Sequence, residues 1–361
     1  MGPITAVLPA LLAAAFFGAG VPLAKVLLGG IEPIPLAALL YLGGSFSLVI
    51  FKAVQALARW AIGRRSASAW LAGEAALKGS DWPWLLGALL AGGVAAPILL
   101  MVGLRHTPAA TASLLLNFEG VATALLAAII FGEAIGFRIW WGIIAITAGG
   151  VLLSWDGSGA WGFSAAALGI LGACFLWGLD NNFTRNISAK DPLTIVIIKG
   201  LGAGAISLIL ARVSGSSLPG PIQTLLALIL GGFSYGISLV FYVMALRGLG
   251  AARTGALFSL APFIGAGLSL PILRELPGPF TFWAFALMAL GAVLLVGEGH
   301  NHVHRHSPLE HEHRHRHDDG HHVHEHGDGE TPGLVHSHWH RHQTLVHDHP
   351  HAPDLHHRHR H

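Results

Sequence analysis

Ten apolar stretches, each close to the ~20 residues a helix needs to cross a bilayer core about 30 Å thick, constrain this chain more than any other feature. They run over Ile4–Leu28, Pro35–Leu57, Trp84–Leu104, Ala109–Phe131, Ile139–Trp155, Ala165–Asn186, Leu193–Ala211, Ile222–Leu246, Thr254–Leu273 and Phe280–Val296. In hydrocarbon no water is present to satisfy a backbone amide, so such stretches must be helices or strands of a closed barrel. These are too long and too uniformly apolar for barrel strands. The sequence therefore predicts an all-α integral membrane protein. Runs such as "GGSFSLV" and "GLGAGAISL" supply the small side chains that let helices approach closely in lipid.

Composition agrees and removes other classes. With 53% hydrophobic and 11% charged residues over 361 positions, the chain lies outside the range of soluble domains. It has no GxxxxGK[ST] phosphate loop and no nucleophile–base constellation, so neither an ATP-driven pump nor an enzyme is expected, and no cofactor is required. No nucleic-acid partner is expected either. The one cysteine, Cys174, cannot form an intrachain disulfide. The first apolar stretch lacks a basic leader and is long enough to span by itself, so no cleavable signal peptide is predicted.

Loop charges orient the bundle, because Lys and Arg concentrate on the cytoplasmic side. With the amino terminus inside, the inner loops hold Lys52, Arg59, Arg64, Arg65, Lys78, Arg138, Arg185, Lys190, Arg247 and Arg253, and the outer ends hold Arg105, Arg212 and Arg274. That bias predicts a multi-pass protein of the cell (inner) membrane with both termini cytoplasmic.

The chain also repeats itself. "GLRHTPAATASLLLNFEGVATALLAAIIFGEAI" from Gly103 lies without gaps over "ALRGLGAARTGALFSLAPFIGAGLSLPILRELP" from Ala245, setting Glu133 on Glu275, Trp141 on Trp283 and Gly149 on Gly291. More weakly, "FFGAGVPLAK" (Phe16–Lys25) parallels "LWGLDNNFTR" (Leu176–Arg185), setting Gly18 on Gly178. Two copies of five helices must enter the membrane from opposite sides, because five is odd. The expected organisation is an inverted repeat, 4–155 and 164–297, followed by a tail over 300–361. Inverted repeats suit alternating access around a site near the midplane.

These motifs, with the small-residue "AGGVLL" helix, resemble the EamA family of the drug/metabolite transporter superfamily over nearly all of residues 4–297. In that family the acidic residue of the fourth helix is usually followed by proline. Here Glu119 precedes Gly120, and the proline stands in the second copy as Pro262, after Ala261. The resemblance implies a secondary transporter, commonly an exporter of metabolites or amino-acid-like compounds.

Ionisable groups within a bilayer are costly and mark solute or proton pathways, so the substrate or proton path is predicted at Glu119, Asn117, Asp180, Asn181 and Lys199, with Arg185 and Lys25 nearer helix ends. Each has a plainer reading. Glu119 could be a paired structural carboxylate, the Asp180–Asn182 run could bond between helices or unwind its own, and Lys199 could pair with Asp180 or Glu119. Lys25 and Arg185 could simply snorkel. Glu133 and Glu275 are explained by capping or by Arg138 and Arg274, and Trp141 and Trp177 by packing. Pro22, Pro97 and Pro262 could kink helices around a cavity.

The tail obeys other physics. Of 24 histidines, 23 lie from His300 onward, with almost no aliphatic residue among them, so the tail is expected to be disordered without metal. Imidazoles at His311, His313, His315, His317, His321, His322, His324, His326, His336, His338, His340 and His342 offer ligands for Zn, Ni, Co or Cu. The membrane part has no matching set of His, Cys and Met, so a metal channel is not expected. The sequence thus predicts a carrier for a small solute, amino-acid-like or a metal chelate, with a metal-binding regulatory tail. The rival is a membrane-anchored metal binder that transports nothing. Partners are the bilayer, a solute and transition-metal ions, and a homodimer is compatible with the pattern.

Overall fold

The computed structural model describes residues 3–62, 76–131, 136–154, 164–187, 190–242, 244–245, 257–276, 278, 280–295 and, in the tail, 303–305, 309–315, 336–342 and 346–348. Before the tail the described elements are helical: α1 (Pro3–Leu27), α2 (Pro33–Ile62), α3 (Trp82–Ala88), α4 (Ala96–His106), α5 (Ala109–Leu115), α6 (Phe118–Phe131), α7 (Phe137–Ser154), α8 (Ala165–Arg185), α9 (Pro192–Val213), α10 (Pro221–Gly231), α11 (238–242), α12 (Ala261–Leu273) and α13 (Thr281–Leu295). Among the described residues six helical segments are long and apolar enough to cross a membrane, and three more are shorter and apolar. Large apolar side chains such as Ile129, Ile209, Val213, Ile222 and Trp283 stand open on the outside, as a bundle surrounded by acyl chains requires.

Three predicted spans are not simple rods. The third is α3 and α4 joined through a π-helical segment, Leu89–Ala95, and the eighth is α10 and α11 joined through another, Gly232–Ile237. The fourth breaks between α5 and α6 at Leu116 and Asn117. In the register that sets Glu133 on Glu275, the second π segment falls on residues 90–95, and the turn at 259–260 falls on 117–118. The irregularities therefore recur at matching places in the two copies.

Packing follows the same exchange. Helix α8 lies on α4 and α6, whereas α1 lies on α12 and the second π segment. Helices α2 with α9, α5 with α12 and α7 with α13 pair across the copies. Gly18 and Gly178, aligned in the sequence, occupy equivalent crossings. A Cβ on Gly18 would strike Ala261 in the ninth span, and one on Gly178 would strike Ala122 and Thr123 in the fourth.

Polar contacts gather the helix ends into two sets. At one end Lys25 donates to the carbonyls of Leu104 (2.6 Å), Arg105 and Thr107 (both 3.0 Å), capping α4. At the same end Glu275 accepts from the first amides of α5, Ala109 (2.7 Å) and Ala110 (2.9 Å), and Glu32 accepts from Ser217. At the other end Lys52 pairs with Asp191 at 2.8 Å and Lys190 with Asp81 at 3.7 Å. Burial raises the Asp191 carboxyl, but hydrogen bonds from Lys52 and Thr194 outweigh it and hold it below its ordinary value. Glu275 thus caps a helix of the other copy instead of answering Arg274, which stands in the left-handed region at φ 53°. Glu133 lies outside the described residues.

In the tail the described parts are four strands, where disorder was expected. Strands β1 (Val303–Arg305) and β4 (Val346–Asp348) pair antiparallel, as do β2 (Leu309–His315) and β3 (His336–His342). A His-x-His alternation has the two-residue period of a strand, and pairing satisfies its backbone groups. His317, His321, His322, His324 and His326 lie outside the described residues.

Candidate functional site

The break in the fourth span places the first group. The amides of Leu116 and Asn117 bond to Ser113 and Leu114 in tight turns, and the Asn117 side chain donates to Leu114 O at 2.8 Å. Asn117 is buried at 7% exposure, and its side chain makes this polar contact within the break. Helix α6 then restarts at Phe118, leaving Glu119 in its first turn, with its own amide bonded to Leu116 O at 3.0 Å.

Helix α8 supplies the next three groups. It is continuous, so the Asp-Asn-Asn run does not unwind it, and successive residues fan out at 100° steps. Asn181 donates to Glu119 Oε1 at 2.9 Å and to Thr123 Oγ1 at 3.1 Å. Asn182 faces the same helix, donating to Thr123 O at 3.2 Å and to Gly178 O at 2.8 Å. Asp180 turns the other way, is 5% exposed, forms an ion pair with Lys199 of α9, and accepts from Thr184 Oγ1 at 3.0 Å. Lys199 therefore takes the nearer of the two carboxylates open to it. Among the described residues no cation stands within ion-pair distance of Glu119, which meets only the neutral amide of Asn181.

The π segment makes the third wall. Pro97 has no N–H to donate to the carbonyl five residues back, that of Gly92. That carbonyl instead accepts from Tyr41 Oη at 2.6 Å and Trp177 Nε1 at 3.0 Å, and both side chains are buried. Tyr41 lies on Tyr235 at 5.1 Å, and Phe17 lies against Trp177 and Tyr235, forming an aromatic layer beside the charges. Trp177 is thus tied to the site by a hydrogen bond and not by packing alone.

Gly92 also lets the helices close. A Cβ there would overlap the Asp180 carboxylate. We therefore expect Gly92→Ala to push α8 away, parting Asp180 from Lys199, and to cost about 1–3 kcal/mol of thermal stability. Gly172→Ala, which would meet only one flexible leucine methyl, should cost less in the same melting experiment.

Of the residues predicted from sequence, the structure brings Glu119, Asn181, Asp180 and Lys199 together. Lys25 caps α4 at one end of the bundle, and Arg185 sits in the last turn of α8 toward the other. Tyr41, Gly92, Thr123 and Thr184 were not predicted. Pro97 inside an apolar stretch was the one available signal for Gly92.

The site is one-sided. In the aligned register Ala261 stands where Glu119 does, and Gly20, packed against Ser234, stands where Asp180 packs against Gly92. The two copies thus share a backbone plan, and these two charges occur only where the fourth span meets the sixth.

The chain is similar in sequence to known transporters over nearly all of its membrane part. The EamA-like transporter family model matches residues 4–155 and again 164–297. An uncharacterized transporter of Methanothermobacter thermautotrophicus is 31% identical over 299 residues, 79% of this chain and 84% of that protein. A probable terminal-alkyne amino-acid exporter of Streptantibioticus cattleyicolor is 28% identical over 205 residues, 55% of this chain and 67% of that one. A crystal structure of a further protein shares the fold at a TM-score of 0.58 and 21% identity, covering 80% of this chain and 95% of its own. Apolar helices long enough to cross a membrane, in a chain matched twice by one transporter model, lead to one conclusion: this is a multi-pass membrane protein and a member of the EamA-like transporter family.

Proposed function

We propose that the chain exports a small amino-acid-like metabolite by alternating access. In this reading ten crossings form two inverted five-helix repeats around the site, with both termini cytoplasmic. The observation that carries it is Glu119, a carboxylate at a helix break, answered by one neutral amide and set beside the Asp180–Lys199 pair. A charge held in this way inside a bilayer is too costly for a bare anchor. A substrate ammonium, or a proton, would neutralise Glu119. A substrate carboxylate would compete with Asp180 for Lys199, and the aromatic layer would take the apolar side chain. The amino-acid exporter among the relatives supports this substrate class. The loop charges support the orientation. The tail, in the same reading, binds transition-metal ions on the cytoplasmic side and adjusts the carrier.

The test is flux in proteoliposomes, using a panel of neutral, acidic and basic amino acids and a zinc–histidine chelate. Uptake of at least one zwitterion, dependent on Glu119, is the expected result. No flux of any of these solutes would overturn the reading.

A further inference from the structure

The chain has three tyrosines, and ring contacts join all three beside the charges. Tyr41 lies on Tyr235 at 5.1 Å, Tyr235 on Phe17 at 5.9 Å, Phe17 on Phe258 at 5.4 Å, and Phe258 on Tyr242 at 4.8 Å. Their hydroxyls differ. Tyr41 is buried and donates to Gly92 O, so its phenol is satisfied. Tyr235 and Tyr242 keep part of their surface open, and among the described residues neither hydroxyl has a hydrogen-bond partner. A phenol inside an apolar bundle ordinarily finds a partner, because leaving it without one carries a desolvation cost. Water or a solute must therefore supply it. Both rings are near enough to Glu119 to interact with its charge, so whatever they bond shares the space of a solute held there.

Resting on the reading that a zwitterionic solute places its ammonium at Glu119, we propose that Tyr235 and Tyr242 are specificity residues that hydrogen-bond the far end of its side chain. The solute class is then an amino acid whose side chain ends in a hydroxyl or an amide, not in plain hydrocarbon. The rings cover the carbon skeleton of that side chain, and the hydroxyls read its tip. Tyr235 lies in the second π segment, and Tyr242 lies two turns on, about 10 Å along the span toward the end where Lys52 meets Asp191. A solute anchored at Glu119 meets one or the other according to its length. In the aligned register Gly93 and Leu100 occupy these places in the first copy, so the phenols, like the charges, occur once. The eighth span thus completes a site that the fourth, sixth and seventh begin. A site built to bond a polar group discriminates against the analogue that lacks it, because its own groups are then left unpaired.

The test is flux in proteoliposomes, using pairs of amino acids that differ in one polar group and little in shape: threonine and valine, asparagine and leucine, tyrosine and phenylalanine. The native chain should move the polar member faster in at least one pair. Tyr235→Phe or Tyr242→Phe keeps the ring contacts, and one of them should lower flux of that member about 3- to 10-fold more than flux of its apolar counterpart. Tyr41→Phe, which instead removes a bond from Gly92 O, should not alter the preference. If neither variant changes the ratio in any pair, the hydroxyls bond only water and the assignment is wrong, while transport at Glu119 stands. If a variant slows both members of every pair equally, the tyrosines shape the wall without reading the solute, which also overturns the assignment. No flux of any of these solutes in the native chain would overturn the transport reading and this one with it.

Discussion

Lys199→Met is expected to destabilise the folded chain by about 3–5 kcal/mol, because it leaves Asp180 charged, nearly buried and without its cation. The side chains of Asp180 and Lys199 are 8% and 16% exposed, so water can do little to replace the missing partner. Removing both charges should be milder than removing one. The double variant Asp180→Asn with Lys199→Met keeps a hydrogen-bonding group for Thr184 and leaves no unpaired charge. It should recover most of the loss in a detergent melting experiment, a non-additivity expected of groups in direct contact. If the two single losses simply add, the pair is not a unit, and the site has been assembled wrongly.

The second large effect is on transport. Glu119→Gln preserves the shape of the side chain and a bond to Asn181 while deleting the charge, so the fold should survive. Hydrogen bonds to charged groups contribute about 1.5–3 kcal/mol, and losing one from the loaded carrier should slow flux about 10- to 100-fold. Melting behaviour should be near that of the native chain. Asn181→Ala should give a smaller loss of flux, since Asn181 orients Glu119 and bonds Thr123 but carries no charge. Unchanged flux for Glu119→Gln would remove the carboxylate from the pathway.

Sequence and structure agree where a single physical cause dominates. Hydropathy alone marks the apolar stretches, and internal alignment alone pairs Gly18 with Gly178 at equivalent crossings. Glu119, Asp180 and Lys199 were legible because charge in hydrocarbon has few innocent explanations. What stayed hidden depends on backbone irregularity. The break at Asn117 and the π segments leave no trace in an apolar average, so Tyr41 and Trp177 could not be tied to Gly92 before the carbonyl was seen to be shared. The partners of Lys25 and Glu275 were hidden for a related reason, although capping itself was one of the readings open to Glu275. Each caps a helix far away in sequence, and a reading by neighbours turns to Arg274 first.

The ends of the bundle illustrate how the copies are joined. Glu275 of the second copy holds the first amides of α5 in the first, and Glu32 of the first holds Ser217 of the second. Both lie at the same end as the Lys25 cap. Lys52 and Asp191 join the copies at the opposite end. Movement of one copy against the other must therefore break a different set of polar contacts at each end.

Transport through the polar cluster requires water to reach it from within the bundle, and thiol labelling at Asn181 tests this most directly. Asn181 and Ile129 are both exposed on the protein surface, Ile129 at 78%, yet one should face an aqueous cavity and the other lipid. In a Cys174→Ala background, Asn181→Cys should react with a charged thiol reagent applied to sealed vesicles from at least one side, and a transported solute should slow it, while Ile129→Cys stays inert. If both positions are inert to the charged reagent and react only with a lipid-soluble one, Asn181 and Glu119 face the bilayer, and this protein has no solute pathway where we have placed it.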